Sequence, residues 1–502
     1  MSMENRNILL ILTDQQRVDT LKAYGGKVCQ TPNLDQLSED SIVFTNAYTS
    51  CPICTPARSS LQTGYYPFNV GMQANSYGSH CLIRELPDHP DLLSRQLQKQ
   101  NYSVGYTGKW HLGQGNDSAE TQHYLSQGEH VIQFPEFKYD MRSLPSDVGY
   151  EADDFPGHGI GGYHYKQFKD YLEENNLSFE TKNKLSGNFD VHTAAEVVSP
   201  IESTVEYYLT ERAIHYMERF RKRSKPFFFA LNYWGPHEPY MAPTKHLDLY
   251  RDMELEPWPN FYDEGHKKPS IHKAKSAKSK EWEAFAPYVK HYYGFMSSID
   301  EQIGRIIAYL KEHDLYDNTT IIFSADHGES LGIHGGLSDK AFFMYEETCR
   351  IPLFVKPAGN SVHREENHFV GTCDLYATIL ELAGVEREKA ENRDGRSFAP
   401  MLRNTDEPLA SWPDCVVTEC SGLESVMYTQ RMIRYEKMKY VFNCGDLDEL
   451  YDLSKDPYEL ENLIDHADYA EKLRFLRLRL ADWMVQHRDG ALKIFKRMRD
   501  LP

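Results

Sequence analysis

Asn7-Ile8-Leu9-Leu10-Ile11-Leu12-Thr13-Asp14-Gln15-Gln16 is the stretch on which the reading of the fold turns. Ile8 to Thr13 is a compact run with no polar alternation, the pattern of a strand covered on both faces of an α/β sheet. It ends in Asp14, Gln15 and Gln16, where such a sheet exposes loop residues at its carboxyl edge. Strand-like segments recur at Ile42 to Tyr48, Tyr102 to Thr107, Pro226 to Leu231 and Thr319 to Ser324. Helical spacing lies between them, at Pro32 onwards, Asp91 to Gln100, Ser199 to Arg219 and Tyr288 to Leu310. The expected class is therefore α/β, with a large central mixed, mostly parallel sheet flanked by helices.

Beyond the Cys373 to Leu382 helix the pattern changes. Val416 to Thr418, Ser425 to Thr429, Met432 to Glu436 and Lys439 to Asn443 read as short strands, and Tyr469 to Gln486 as a final helix. This places a catalytic-size domain over 1–385 and a smaller α+β subdomain, with short antiparallel strands and a terminal helix, over 386–502. The stretch from Gly113 to Asn188 has little clean period and reads as long surface loops.

The chain has 502 residues, and 74 acidic against 55 basic side chains give a net charge of −19. That balance argues against a nucleic-acid backbone as partner, which needs a positive stripe. It leaves room for a small anion in a locally positive pocket. Six lysines between Gly265 and Lys280 read as an exposed loop leading into a helix, with an electropositive lip as the alternative. No apolar run is long enough to span a membrane. Met1 to Asn7 lacks the order of a secretory leader, so cytoplasmic residence is expected unless a signal was removed. Nine cysteines at irregular spacing do not suggest a disulfide framework. Cys51 and Cys54 have redox spacing, but no second pair stands at ligand spacing.

Four polar clusters follow strand-like segments: Asp14-Gln15, Lys109 with His111, His237, and Asp326-His327. Each taken alone has a bland reading as a cap, a surface lysine or a satisfied histidine. Together they converge, because strand ends of one sheet meet at one crevice. Asp14, Asp326 and His327 offer hard oxygen and imidazole ligands to a divalent cation, and Gln15 its amide oxygen. Cys54-Thr55-Pro56-Ala57-Arg58 follows the second strand. A helix starting near Pro56 would put Arg58 in its first turn and aim unpaired N–H groups at an anion near Cys54.

These motifs, in this order and with Lys340, Leu450-Tyr451-Asp452-Leu453 and Asp456-Pro457 behind them, resemble the type I sulfatases of the alkaline-phosphatase-like superfamily. The resemblance runs over nearly the whole chain and implies hydrolysis of a sulfate monoester. It implies that Cys54 is oxidised to formylglycine by a maturation enzyme, and that its hydrate attacks sulfur. The second hydroxyl then drives release of sulfate, a step that serine could not provide. Arg58 would hold the hydrate and the carboxylates, and Lys109 and Lys340 would bind sulfate oxygens. His111 is placed to take the hydroxyl proton and His237 to protonate the leaving group, roles that can be exchanged or shared. His334 lines the substrate side or serves packing.

The implied metal site comprises Asp14, Gln15, residue 54, Asp326 and His327. One cation is expected, calcium first, with manganese or zinc raised by the nitrogen ligand. Gln15 and His327 depart from the commonest Asp-Asp and Asp-Asn pattern. They resemble the phosphonate monoester hydrolase and choline-sulfatase branches, which keeps phosphonate or phosphodiester hydrolysis, and choline or aryl sulfates, as alternatives. The leading substrate is a small carbohydrate sulfate. A noncatalytic anion-binding protein is the reading from another class and requires an unmodified Cys54. A homo-oligomer is left open.

Overall fold

In a computed structural model the opening run forms the strand Asn7–Asp14, buried along its whole length. The structure describes residues 6–76, 78, 80–113, 143–155, 157, 161–186, 193–277, 279–359, 361–403, 412–423 and 426–501. Much of the expected loop region, including 114–142 and 187–188, lies outside them, as do Lys278 and Ser425.

Asn7–Asp14 occupies the middle of an eight-stranded sheet. The order across it is Arg364–Gly371, Ile42–Tyr48, Leu353–Lys356, Thr319–Ala325, Asn7–Asp14, Phe227–Pro236, Ser103–Gly108 and Glu151–Ala152. Leu353–Lys356 runs antiparallel to both neighbours, and the other pairings are parallel. The sheet is thus mixed and mostly parallel.

Side-chain alternation explains the unbroken apolar run. Ile8, Leu10 and Leu12 join Phe228, Ala230 and Ile322 in a core with Leu61, Leu93 and Leu375 from the helices on that face. Leu9 and Ile11 join Phe227, Phe229, Leu231, Ile321 and Phe323 in the opposite core. That second core is closed by Leu209 and Met217 of helix Val205–Arg221 and by Phe295, Ile299 and Ile303 of helix Trp282–Glu312. Burial on both faces leaves no position where a polar residue is favoured, so the sequence loses its period of two.

A four-stranded antiparallel sheet, Cys415–Leu423, Val426–Tyr435, Met438–Asn443 and Glu449–Asp452, forms the C-terminal layer. Helix Ala470–Gln486 packs against it through Leu473, Leu476 and Leu480. Thr418 Oγ1 and the Glu419 N–H donate to the carbonyls of Thr49 and Ser50, at 2.7 and 2.9 Å. The C-terminal layer therefore braces the segment that leads into Cys54.

Several expectations are corrected. Ser425 to Thr429 and Met432 to Glu436 are not two strands: residues 426–435 form one, Val426–Tyr435, and Glu436 lies in the turn after it. That strand stays paired with Cys415–Leu423 across a register shift between Met427 and Gln430, and pairs with Met438–Asn443 from Gln430 on. The helix at the pentapeptide spans Cys54–Thr63 rather than starting near Pro56, so Arg58 lies one turn in. Proline tolerates a first-turn position because it has no N–H to leave unpaired. Lys268 is not on an exposed loop: its ammonium is buried between the rings of Tyr345 and Tyr451 and donates to Tyr451 Oη and the Glu459 carbonyl. Glu449–Asp452, helix Leu492–Met498 and a small sheet of Thr181–Leu185, Ala194–Val197 and Tyr240–Pro243 were not foreseen. All nine cysteines are free. Among the described residues no helix is long and apolar enough to cross a membrane.

Candidate active site

The carboxyl ends of four central strands deliver the site. Asp14 closes Asn7–Asp14, Lys109 and His111 follow Ser103–Gly108, His237 follows Phe227–Pro236, and Asp326-His327 follow Thr319–Ala325. Cys54 arrives from a different element, as the first residue of its helix, after Ile53 in extended conformation. All of these side chains are buried.

The Cys54 sulfur lies 3.3 Å from His327 Nε2, 3.5 Å from Lys109 Nζ and 3.8 Å from Asp14 Oδ1. Arg58 binds the two carboxylates at once, Nη2 to Asp14 Oδ2 and Nε to Asp326 Oδ2, both at 3.0 Å. Its Nη1 donates to the Lys109 carbonyl at 2.8 Å and to Asn232 Oδ1 at 3.3 Å. Lys109 Nζ adds a 2.5 Å pair to Asp14 Oδ2. Burial opposes ionisation of Asp14, but Lys109, His237 and Arg58 hold its pKa well below the usual carboxylate range. Desolvation disfavours a charged Arg58, yet Asp326 and Asp14 hold it firmly protonated.

Ligand atoms of Asp14, Cys54, Asp326 and His327 all lie within 4.8 Å of one another. Two carboxyl groups beside an imidazole form a donor set that fits a divalent cation. His327 fits the same purpose: Nδ1 faces the Gly328 carbonyl at 3.0 Å, which fixes the N–H there and turns Nε2 inward. Burial lowers the His327 pKa, but Asp326 and Cys54 outweigh it and lift the group to about 9. A cation binding at Nε2 therefore has to displace a proton.

Lys340 and His237 form a second centre. Lys340 Nζ lies 2.8 Å from His237 Nε2, 2.5 Å from Gln15 Oε1 and 3.0 Å from Asp339 Oδ1. His237 Nδ1 faces the Glu238 carbonyl at 2.7 Å. Burial, then the Lys340 and Lys109 ammoniums, push the His237 pKa well below the usual imidazole value. Lys340 keeps its proton despite burial, chiefly because of Asp339 and Cys54.

Gln15 joins the two centres from a left-handed backbone conformation, φ +62°. Its N–H donates to Asp326 Oδ1 at 3.1 Å. Its amide nitrogen faces Glu329, Glu238 and Asp339. The oxygen expected on a cation accepts from Lys340 instead. His111 is also left-handed, φ +56°, and its carbonyl accepts from Thr55 Oγ1 at 2.6 Å. His334 sits in a separate network: its ring stacks on Tyr345 at 3.7 Å between centroids, with Nδ1 2.7 Å from Asp263. Burial drives its pKa down to about 3. These are contacts of a packing residue.

Sequence reasoning missed Asn232, Glu238, Glu329 and Asp339. Glu238 and Asp339 adjoin His237 and Lys340 in the chain, which was the available signal. Asn232 and Glu329 carried none, since each reads as an ordinary strand or loop residue.

The sulfatase family model matches residues 6–385. A second model, N-sulphoglucosamine sulphohydrolase C-terminal, matches residues 332–486. The chain belongs to the sulfatase family and is by class a sulfuric ester hydrolase. The uncharacterized sulfatase YidJ of Escherichia coli (strain K12) is 28% identical over 97% of this chain and 88% of that protein. The phosphonate monoester hydrolase of Agrobacterium radiobacter shares the fold at TM-score 0.76 and 23% identity, covering 96% of both chains. A structure solved with its substrate D-glucosamine-2-N,6-O-disulfate shares it at TM-score 0.73 and 21% identity, over 97% of this chain and 99% of that one.

Proposed function

We propose that this chain hydrolyses the sulfate monoester of a small carbohydrate, with Cys54 converted to formylglycine by a maturation enzyme. The observation that carries this reading is the seat of the Cys54 sulfur: the start of a buried helix, within 3.8 Å of Asp14, Lys109 and His327. A thiol meant only for packing has no need of two charged neighbours and an imidazole. A hydrated aldehyde at this position supplies one hydroxyl for attack at sulfur and a second for the release of sulfate.

Asp14, Asp326 and His327, with residue 54, would hold one divalent cation, calcium first and manganese or zinc as alternatives, while the Gln15 oxygen is taken by Lys340. When bound, the cation supplies positive charge that favours the ionised nucleophile and neutralises sulfate oxygens. Arg58 holds the Asp14 and Asp326 carboxylates in place and helps keep Asp14 ionised, since its guanidinium cannot lose its proton here. Lys109 and Lys340 point fixed ammonium groups at the place where charge develops on sulfate oxygens.

The leaving oxygen needs a proton, and the Lys340–His237 pair holds one between atoms 2.8 Å apart. His237 is neutral before substrate binds, so the proton for the leaving oxygen is assigned to the pair as a unit, with Lys340 holding it in the resting state. His111 is assigned the proton of the second hydroxyl. The test combines the mass of the Cys54 peptide with sulfate release from sulfated mono- and disaccharides, aryl sulfate, choline sulfate and phosphonate monoesters. Preference for a carbohydrate sulfate supports the reading, and a large catalytic margin for phosphonates replaces it. Gln15 and His327 are the observation that favours that second reading.

A further inference from the structure

A cavity of about 340 Å³, lined by none of the residues assigned to catalysis, lies where the edge of the central sheet meets the C-terminal sheet. Its wall takes Asn46 from Ile42–Tyr48 and Asn367 from Arg364–Gly371. Arg350, Arg434 and Lys437 come from three further positions: the turn after Glu346–Cys349, the strand Val426–Tyr435, and the turn that follows that strand. Glu346 is the one carboxylate in the wall. It is paired with Lys439 Nζ at 3.3 Å and with Arg434 Nε at 3.6 Å, and it accepts from the Tyr48 hydroxyl at 2.8 Å, so Arg350 and Lys437 are the cations of the wall that it does not pair with.

Two of the cations are fixed. Arg434 Nε donates to Tyr48 Oη at 3.0 Å, and Arg350 Nε donates to the Thr45 carbonyl at 2.9 Å. On a chain of net charge −19, three cations around one recess run against the overall balance. The volume is that of a small-molecule site. Three cations, two of them guanidiniums, lining one recess match a group with several acceptor oxygens better than a flat carboxylate. We propose that this cavity binds a tetrahedral oxyanion, sulfate or phosphate, either as the free ion or as the anionic group of a small sugar. The site is independent of the catalytic centre and of the substrate assigned to it.

The test is calorimetric titration of the full chain carrying Cys54→Ala, which cannot turn substrate over. The probes are inorganic sulfate, inorganic phosphate, glucose 6-sulfate, glucose 6-phosphate and glucose. One anion is expected to remain bound with unchanged affinity in Lys340→Ala, which perturbs the catalytic centre alone. Its affinity is expected to fall at least tenfold in Arg350→Gln/Lys437→Gln, while aryl sulfate hydrolysis by that double variant in the Cys54 background stays unchanged. Tighter binding of the sugar esters than of the free ions identifies a sugar ligand, and the reverse identifies an ion site. The proposal is overturned if Lys340→Ala abolishes all anion binding, or if the double variant binds as before. Should the double variant fail to fold, Lys437→Gln, at an exposed position, carries the same comparison.

Discussion

At the residue scale the site is a balance of buried charge. Asp14 and Asp326 are tolerable without water because Arg58 and Lys109 meet them at 2.5–3.0 Å. Lys340→Ala and Lys109→Ala each remove a donor proposed to bind the sulfate oxygens. Each is expected to cost about 10²–10³ in kcat, roughly 2.7–4 kcal/mol of barrier. Steady-state kinetics on an aryl sulfate checks this, and a loss confined to KM would reassign the lysines to ground-state binding. Asp326→Asn is expected to lower bound metal well below one ion per chain, read by elemental analysis, because it removes a formal ligand charge and weakens the hold of Arg58. Undiminished metal content would move the cation elsewhere. Nearly all of this centre was legible in the sequence, since Asp14, Cys54, Lys109, His237 and His327 each follow a recognisable strand or motif. The Gln15 bridge to Lys340 was not, because it depends on a left-handed backbone that no spacing reveals.

At the scale of elements, the turn after Ser103–Gly108 sets where Lys109 points. Gly108 has φ +97°, and a Cβ there would lie 1.8 Å from the Asn232 carbonyl oxygen. That same carbonyl accepts the Lys109 N–H at 3.0 Å. Gly108→Ala is expected to cost about 1–3 kcal/mol in backbone strain and to lower kcat by displacing Lys109. A denaturation midpoint and kcat that both match the parent would contradict this. The central strands were readable because burial on two faces erases polar positions from them. Val426–Tyr435 was split in two by its polar Gln430 and Arg431, whose partners come from distant parts of the chain. Gln430 Nε2 meets the Phe342 carbonyl and Asn443, and Arg431 meets Asp489.

At the scale of the whole molecule, buried ions join the layers. Arg431 pairs with Asp489 at 2.6 Å and Glu419 at 3.2 Å, tying two strands of the C-terminal sheet to the turn after the last long helix. Arg431→Ala leaves carboxylates buried without their cation. It is expected to destabilise the chain by about 3–5 kcal/mol, read from chemical unfolding, with activity per folded molecule unchanged. Stability should also fall with rising pH because of Glu206. Burial lifts its pKa from 4.5 to about 8, so the folded chain binds more protons than the unfolded one between those values. The contribution is fully present below pH 4.5 and is lost as pH rises through about 8. Its slope is at most about 1.4 kcal/mol per pH unit. Glu206→Gln is expected to flatten this part of the curve, and an unchanged slope would place the dependence on other groups.

The central claim is that residue 54 works as an aldehyde rather than a thiol. The direct measurement is the mass of the peptide containing Cys54-Thr55-Pro56-Ala57-Arg58, from chain produced with a competent maturation enzyme, set beside sulfate release by the same sample. Formylglycine at position 54, with turnover that tracks the converted fraction and vanishes in Cys54→Ala, is the expected result. An unmodified cysteine in a sample that hydrolyses sulfate esters at full rate would contradict it.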